Sequence, residues 1–262
     1  TIRLLDPPLH EFLPHGDAEI DALARRIGKS ADKVRDIANR LSEVNPMLGF
    51  RGCRLSVVYP EITEMQVKAI ISAAADAMDQ GYKPLPEIMI PLVVNVREIR
   101  LITEIIDKSI REVSQAKTVS VPYKIGTMME TPRATLGANR LANEVEFMSF
   151  GTNDLTQMTY GFSRDDAGKF IPQYLKQKLV DADPFITLDT RAVGRLMEIA
   201  VNESRARKKG IKYGICGEHG GDPRSIRFCH ELGLDYVSCS PYRVPIARIA
   251  AAQANVGFEP ND

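Results

Sequence analysis

A cysteine followed by a glycine-rich turn is the part of this sequence most suited to chemistry. Cys216 closes an apolar run that is typical of a strand, and the turn after it leads to Asp222 and Pro223, a pair that often starts a helix. A thiol at a strand-to-helix turn faces a cleft rather than a core. Because free cysteine is more often a small buried hydrophobic residue, this run alone leaves both interpretations open.

Two acidic residues, Glu130 and Asp154, each follow a strand-like run and lie one strand–helix–strand step apart. If both stand at the carboxyl ends of neighbouring parallel strands, their carboxylates face each other. Two carboxylates without a nearby histidine suit a hard divalent cation such as Mg²⁺, which keeps several waters and leaves room for substrate oxygens. Each residue could instead cap the helix that follows it, but the pair in register favours a metal site.

Three arginines, Arg3, Arg51 and Arg164, are candidates for an anion clamp. Guanidinium groups bind phosphate and carboxylate through paired hydrogen bonds and stay charged. Arg3 lies within an apolar strand-like run and therefore needs a partner. Arg164 lies in a charged loop, where simple solvation is the alternative.

The small residues Gly151, Thr152 and Asn153 precede a plausible helix, where backbone N–H groups can approach an anion. His219 is the obvious acid–base residue by type, but it lies beyond the turn that follows Cys216. A cation, an anion clamp and a thiol can together stabilise an enolate that carries a carboxylate. A buried thiol keeps its proton, so it suits the role of proton donor better than that of nucleophile.

Alternating strands and helices must position these residues. Helical periodicity fills the intervals between strand-like runs, which predicts a parallel sheet. The strand-like runs lie near residues 1–5, 50–58, 86–93, 119–127, 146–151, 211–216 and 235–239. Since a (β/α)₈ barrel needs eight strands, we predict an α/β TIM-type barrel whose first strand lies upstream of Thr1. The chain is then one domain, residues 1–262, of a larger multidomain enzyme.

A doubly wound open sheet is the competing fold, but no Gly-x-Gly-x-x-Gly follows an early strand. Residues 161–188 form a long polar connection, which predicts a functional loop. The 34 basic and 34 acidic residues cancel, so no global field draws the chain to nucleic acid or to an anionic membrane. The four cysteines lack metal-site or disulfide spacing, which predicts reduced thiols and a cytoplasmic protein, while targeting signals upstream of the chain would be invisible.

Several long motifs resemble the pyruvate phosphate dikinase family, in its C-terminal phosphoenolpyruvate/pyruvate-binding barrel. The resemblance covers essentially the whole chain. The motifs that carry it lie in the family's order, at residues 3–12, 51–55, 125–134, 149–157 and around Cys216. Phosphoenolpyruvate synthases and the first enzyme of the sugar phosphotransferase system share the Glu-Thr-Pro, Gly-Thr-Asn-Asp-Leu-Thr-Gln and Cys-Gly-Glu cores. The Asp-Pro-Pro-Leu-His-Glu-Phe and Arg-Gly-Cys-Arg stretches resemble the dikinases rather than these relatives.

The resemblance implies roles for the matching residues. Glu130 and Asp154 would ligate Mg²⁺, and Cys216 would protonate the enolate carbon to give pyruvate. Arg3 and Arg51 would hold the phosphoryl group. The other implied positions are Arg164 at the matching loop, Gly151, Thr152 and Asn153 along the substrate, and Ser149 and Tyr236 beside the cysteine. For Tyr236, a core aromatic at a strand end is an equally open interpretation.

The family's reaction also needs an ATP-grasp domain and a domain with a phosphorylated histidine, and this chain has neither. It is therefore expected to bind substrate and exchange pyruvate methyl protons, but not to turn over ATP alone. The resemblance further implies a phosphohistidine domain as partner and a homodimer. A phosphoenolpyruvate synthase-type homologue, a Mg²⁺-dependent carbon–carbon lyase of the aldolase type and a non-catalytic binding or dimerisation module remain as alternatives.

Overall fold

Six short strands form one parallel sheet in the computed structural model, which describes residues 1–257. The strands are β1 (Ile2–Arg3), β2 (Glu87–Ile90), β3 (Lys124–Met128), β4 (Phe147–Gly151), β5 (Lys212–Cys216) and β6 (Tyr236–Val237). They lie in sequence order across the sheet. Winding in one direction without a reversal is consistent with a TIM-type barrel and differs from a doubly wound sheet. Over residues 1–257 the edge strands β1 and β6 are not paired with each other.

Twelve α-helices occur within the described residues, of which eleven lie between strands and the last follows β6. They are α1 (Gly16–Ile27), α2 (Ala31–Leu41), α3 (Cys53–Val58), α4 (Pro60–Asp79), α5 (Val96–Lys117), α6 (Pro132–Leu136), α7 (Ala138–Leu141), α8 (Thr152–Tyr160), α9 (Ile171–Lys176), α10 (Val193–Arg207), α11 (Pro223–Leu232) and α12 (Val244–Asn255). The capping box of Asn95 and Glu98 starts α5, and Thr131 caps α6 ahead of Pro132. No helix within residues 1–257 has the length and apolar character needed to cross a membrane.

The register of the strands separates the two faces of the sheet. One face carries large apolar residues, such as Ile88, Phe150 and Ile215, that pack in the main core with the helices. The opposite face has a different character, because it carries charged, small, aromatic and sulfur-containing residues. In paired rows these are Arg3, Met89, Gly126, Phe147 and Lys212, then Met128, Ser149, Gly214 and Tyr236, then Gly151 and Cys216. The candidate site residues on the strands therefore share this second face.

The strand predicted at residues 50–58 is wrong, because this segment turns at Gly52 and continues as the helix α3. Gly52 has a φ of 59°, which breaks an extended path. In the helix Cys53, Leu55 and Ser56 are buried whereas Val57 and Val58 are exposed, so burial does not alternate from residue to residue as it does along a half-buried strand. Six strands are thus described where seven were predicted, and a strand upstream of Thr1 stays a prediction.

Two long excursions flank the carboxyl edge of the sheet. The first lies between β1 and α3 and contains α1 and α2, which pack around their own small core of Ile20, Ala24 and Val34. The second is the predicted loop 161–188, which contains α9 and a small core centred on Ala167, Ile171 and Phe185. Because both excursions have separate cores, neither depends only on its contacts with the sheet for order.

Candidate active site

A cavity of about 320 Å³ lies at the carboxyl ends of the strands. Its lining includes residues from four separate stretches of sequence that were singled out for their chemistry. The lining residues are Thr1, Arg3, Met89, Met128, Glu130, Gly151, Asn153, Asp154, Cys216 and Gly217. Three of the other cavities described are larger, at about 640, 550 and 350 Å³, and none of the predicted site residues lines them, so volume alone does not identify the site.

Glu130 is completely buried at the end of β3, and its two oxygens are not equivalent. Oε1 accepts the backbone N–H of Leu92 at 2.6 Å, whereas Oε2 is buried without a hydrogen-bond partner. Burial, with the nearby charges of Asp6 and Asp154, raises the pKa of Glu130 to about 8. The following helix is capped by Thr131 rather than by Glu130, so the capping alternative is wrong for this residue.

Gly151 makes room for the free oxygen of Glu130. A Cβ atom at position 151 would lie 2.4 Å from Glu130 Oε2, closer than any side chain can approach. A buried, unpaired carboxylate oxygen beside a glycine and the carboxylate of Asp154 suits a cation. No group of three or more His, Cys, Asp or Glu side chains that could hold a metal occurs in residues 1–257. Two carboxylates nevertheless fit Mg²⁺, which commonly takes one or two from protein and the rest from water and substrate.

Arg51 links Asp154, one of the two predicted metal ligands, to Asp6 near the N-terminus. Its side chain is only 3% exposed, and Nη1 donates to Asp154 Oδ1 at 2.9 Å. Nη2 donates to Asp6 Oδ2 at 2.8 Å, and Nε donates to the Asp6 carbonyl at 3.3 Å. A buried guanidinium between two carboxylates is compensated, because both partners are ionic and hydrogen-bonded. Asp154 is therefore engaged with Arg51 and does not act as a helix cap.

Asp6 is a site residue that the sequence reasoning missed. Its Oδ2 accepts from both Arg51 and Arg3, the latter at 3.0 Å, while its Oδ1 is buried without a partner. Arg3 keeps 44% of its side chain exposed and is free to meet a ligand at the cavity. The signal was available, since Asp6 directly follows the strand-like run 1–5, as Glu130 follows its own strand.

Cys216 ends β5 on the cavity face, paired in register with Gly151. Burial, reinforced by the charge of Glu130, raises the pKa of its thiol to about 11, while the hydroxyl of Ser149 acts in the opposite direction. The Sγ atom lies 3.6 Å from the Phe150 carbonyl oxygen. Cys216 is therefore a protonated thiol at neutral pH, which suits a proton donor.

Ser149 and Tyr236 form a polar pair beneath the cysteine. Both hydroxyl oxygens are buried without a hydrogen-bond partner. Burial raises the pKa of Tyr236, and the Ser149 hydroxyl acts in the opposite direction. The Tyr236 ring lies over Gly214, where a Cβ would be 2.1 Å from the ring. The glycine thus lets Tyr236 occupy the inner face, and a role for Tyr236 beside the cysteine stays a prediction.

Residues at the start of α8 contact the turn that follows Cys216. The Thr152 hydroxyl lies 3.1 Å from the Cys216 carbonyl, and Asn153 Oδ1 accepts the backbone N–H of Glu218 at 3.3 Å. Arg164 lies 3.8 Å from Glu218 and is 43% exposed. Arg164 does not line the cavity as described, so its place at the phosphoryl group stays a prediction.

Comparison with known proteins supports one family. Residues 1–256 match the family model described as "PEP-utilising enzyme, PEP-binding domain". Among similar curated proteins, "Pyruvate, phosphate dikinase 1, chloroplastic" of Arabidopsis thaliana is 57% identical over 98% of this chain and 27% of its own length. "Pyruvate, phosphate dikinase" of Clostridium symbiosum is 53% identical over 97% of this chain and 29% of its own length. The protein of the same name from Rhizobium meliloti (strain 1021) is 54% identical over 98% and 29%. This chain thus spans less than a third of the length of these relatives.

Proposed function

Because the chain belongs to the family of PEP-binding domains of PEP-utilising enzymes, we propose that it is the substrate domain of a pyruvate phosphate dikinase. Its cavity would bind phosphoenolpyruvate or pyruvate and serve phosphoryl transfer between these substrates and a phosphohistidine on another domain. The observation that carries this proposal is the unpaired buried oxygen of Glu130, in a cavity that also holds Asp154 and the Cys216 thiol. Such a cavity offers a cation site and a proton donor to one small anion.

Glu130 and Asp154 are the proposed ligands of Mg²⁺, which when bound supplies positive charge that stabilises an enolate oxygen. Glu130 is held in place for this role by the Leu92 backbone N–H. Asp154 is oriented by Arg51. The Gly151 backbone leaves space for the ligand oxygens because it has no side chain.

Cys216 is the proposed proton donor. When the phosphoryl group leaves the enol oxygen of phosphoenolpyruvate for the histidine, the thiol gives its proton to the methylene carbon, which becomes the methyl group of pyruvate. The resulting thiolate regains a proton from water. In the reverse direction the thiolate removes a methyl proton, and the enolate oxygen accepts the phosphoryl group. The raised pKa of Cys216 keeps the thiol protonated in the first direction.

Arg3 and Arg51 are the proposed clamp for the phosphoryl group. Arg51 is fixed by two carboxylates, whereas Arg3 pairs with the single carboxylate of Asp6 and remains almost half exposed. A phosphoryl group entering the cavity therefore meets one rigid and one adjustable guanidinium. Fixed guanidinium groups favour the planar, bidentate contacts that phosphate accepts.

The remaining parts of the proposal concern partners and compartment. A swinging phosphohistidine domain is an expected protein partner, because the chain spans only 27–29% of these relatives, and the predicted homodimer adds a second copy of the chain. The relatives carry chloroplastic and bacterial names, so the predicted cytoplasmic location of this chain stays a prediction. Sedimentation of the purified chain tests the homodimer directly.

The function is tested by Mg²⁺-dependent exchange of pyruvate methyl protons with deuterium, followed by NMR. We expect exchange with Mg²⁺ and loss of nearly all of it in Cys216→Ala. Cys239→Ala is the matched control, since Cys239 is also partly buried at a strand end but packs near α12, outside the cavity. The control variant should exchange at the wild-type rate.

Other outcomes separate the alternatives. Exchange that persists in Cys216→Ala would remove the proton-donor assignment and favour the lyase-type reaction. Absence of exchange in the wild-type chain, together with measurable phosphoenolpyruvate binding, would reduce the chain to a binding module. Absence of both would contradict the proposed function.

A further inference from the structure

His219 is completely buried, although it lies in a glycine-rich turn. Its Nδ1 lies 2.7 Å from the Thr152 hydroxyl oxygen, and its Nε2 lies 2.9 Å from the Pro184 carbonyl oxygen. The ring thus joins three separate segments: the turn after β5, the start of α8 and the long loop 161–188. His219 follows the turn after Cys216, and the structure brings it into contact with Thr152 without placing it in the cavity lining.

The number of hydrogens determines which of these contacts are hydrogen bonds. A carbonyl oxygen only accepts, so the contact with Pro184 requires a hydrogen on Nε2. In the neutral ring Nδ1 then carries a lone pair and accepts the Thr152 hydroxyl. That hydroxyl has one hydrogen, so it cannot also donate to the Cys216 carbonyl, 3.1 Å away.

We infer that His219 is a positioning residue: by accepting the Thr152 hydroxyl it keeps that hydroxyl from donating to the Cys216 carbonyl, and so it sets the place of the Cys216–Gly217 turn relative to α8. The inference rests on the proposed function, because the purpose of this turn is to hold the Cys216 thiol at the substrate. His219 itself touches neither the cavity nor the thiol. Its effect passes through Thr152, which lies at the junction of β4 and α8.

The surroundings keep the ring neutral. Burial lowers the pKa of His219, outweighing the Pro184 carbonyl and the acidic residues Asp222 and Glu218, while Arg164 acts in the same direction as burial. The contacts from α8 and from the long loop are made by the uncharged Thr152 and Pro184. At neutral pH the Thr152 hydroxyl is therefore directed at the imidazole, and a second ring proton would release it to the Cys216 carbonyl.

Two substitutions of His219 test the contacts of its two ring nitrogens separately. In His219→Asn the amide oxygen replaces Nδ1 and can still accept the Thr152 hydroxyl, while the contact with Pro184 is lost. In His219→Gln the longer amide reaches toward Pro184 and leaves Thr152 without its acceptor. We expect the maximal exchange rate of pyruvate protons to fall about tenfold in His219→Gln, with little change in KM, because a small displacement of a reacting group is costly. His219→Asn should restore most of the rate.

His230→Asn is the control, since His230 is exposed on α11. Equal rates in wild type and both His219 variants would overturn the inference. So would an equal loss in both variants, which is the result expected from a merely structural histidine. A rise in KM with an unchanged maximal rate would also contradict it, because the substrate rather than the thiol would then be displaced.

Two measurements decide the inference without turnover, so that its failure is distinct from failure of the proposed function. Long-range ¹H–¹⁵N NMR of the wild-type ring should show the neutral Nε2–H form at pH 7. The alkylation rate of Cys216, followed by peptide mass spectrometry, should change in His219→Gln but not in His219→Asn. A ring protonated on Nδ1, or an alkylation rate unaffected by His219→Gln, would overturn the inference even if the variants are too unstable for assay.

Discussion

Nη1 of Arg51 lies 2.9 Å from Oδ1 of Asp154, although the two residues are 103 positions apart. Arg51 precedes α3 and Asp154 lies in the first turn of α8, so this ion pair joins distant segments at the cavity. In the proposed function Arg51 binds the phosphoryl group and Asp154 binds Mg²⁺. Ligand binding must therefore replace or extend this contact, which predicts that the two ligands are coupled through it.

Arg51→Lys should weaken phosphoenolpyruvate binding about tenfold or more, because lysine keeps the charge but loses the paired hydrogen bonds of guanidinium. Isothermal titration calorimetry with Mg²⁺ present measures the effect. Arg54→Lys is the matched control, since Arg54 is a nearby arginine whose side chain binds the Leu48 and Gly49 carbonyls instead of the site carboxylates. An equal loss in both variants would show that the effect is structural rather than specific to the site.

Mg²⁺ binding should strengthen as pH rises toward about 8, the pKa of Glu130. The folded chain keeps this proton while the unfolded chain loses it near pH 4.5, so without metal the free energy of unfolding falls as pH rises through this window. Mg²⁺ needs the ionised carboxylate, so it displaces the proton and reverses that loss. Thermal unfolding at several pH values, with and without Mg²⁺, should show stabilisation that grows with pH.

Glu130→Gln removes the titrating group and should abolish this pH-dependent stabilisation by Mg²⁺. Glu144→Gln is the control, because Glu144 lies outside the cavity and pairs with Arg100 on the surface. Stabilisation by Mg²⁺ that is independent of pH in the wild type, or that survives in Glu130→Gln, would contradict the assignment of Glu130 as a ligand.

Gly151→Ala should weaken Mg²⁺ binding and proton exchange while leaving the fold intact. The new methyl group would lie 2.4 Å from Glu130 Oε2, so the carboxylate must move out of its place. Gly168→Ala is the matched control, because no atom lies within 4 Å of a Cβ there. Calorimetric Mg²⁺ titration and the pyruvate exchange assay measure the difference. A wild-type affinity for Mg²⁺ in Gly151→Ala would show that Mg²⁺ binding by Glu130 does not depend on the space that Gly151 leaves.

Ser149→Ala should raise the pKa of the Cys216 thiol further, because the nearby Ser149 hydroxyl lowers it. The pH dependence of Cys216 alkylation measures this pKa, and its midpoint should move to higher pH. Tyr236→Phe tests the neighbouring hydroxyl in the same assay, while Tyr82→Phe, on the exposed surface, is the control. An unchanged profile in Ser149→Ala would remove Ser149 from the proposed partners of the cysteine.

Much of the site followed from sequence because of one physical rule. The carboxyl ends of parallel strands meet at one edge of a sheet, so residues that end strands must come together. Glu130, Gly151 and Cys216 were predicted in this way, and all line the cavity. The motifs also indicated a family that the match over residues 1–256 confirms. Local patterns placed the start of α5 correctly, because the capping box of Asn95 and Glu98 acts within one helical turn.

Tertiary structure decided the features that depend on contacts between distant segments. The strand-like residues 50–58 became a helix because burial on one helical face outweighed β propensity, which is a weak preference. Asp6 gained its role only when Arg3 and Arg51 met at one oxygen. The burial of His219 depends on a distant segment, because the loop at Pro184 packs against its ring. Sequence by itself determined which groups end the strands, whereas three-dimensional packing decided which of them share hydrogen bonds and protons, since burial and charge act across space rather than along the chain.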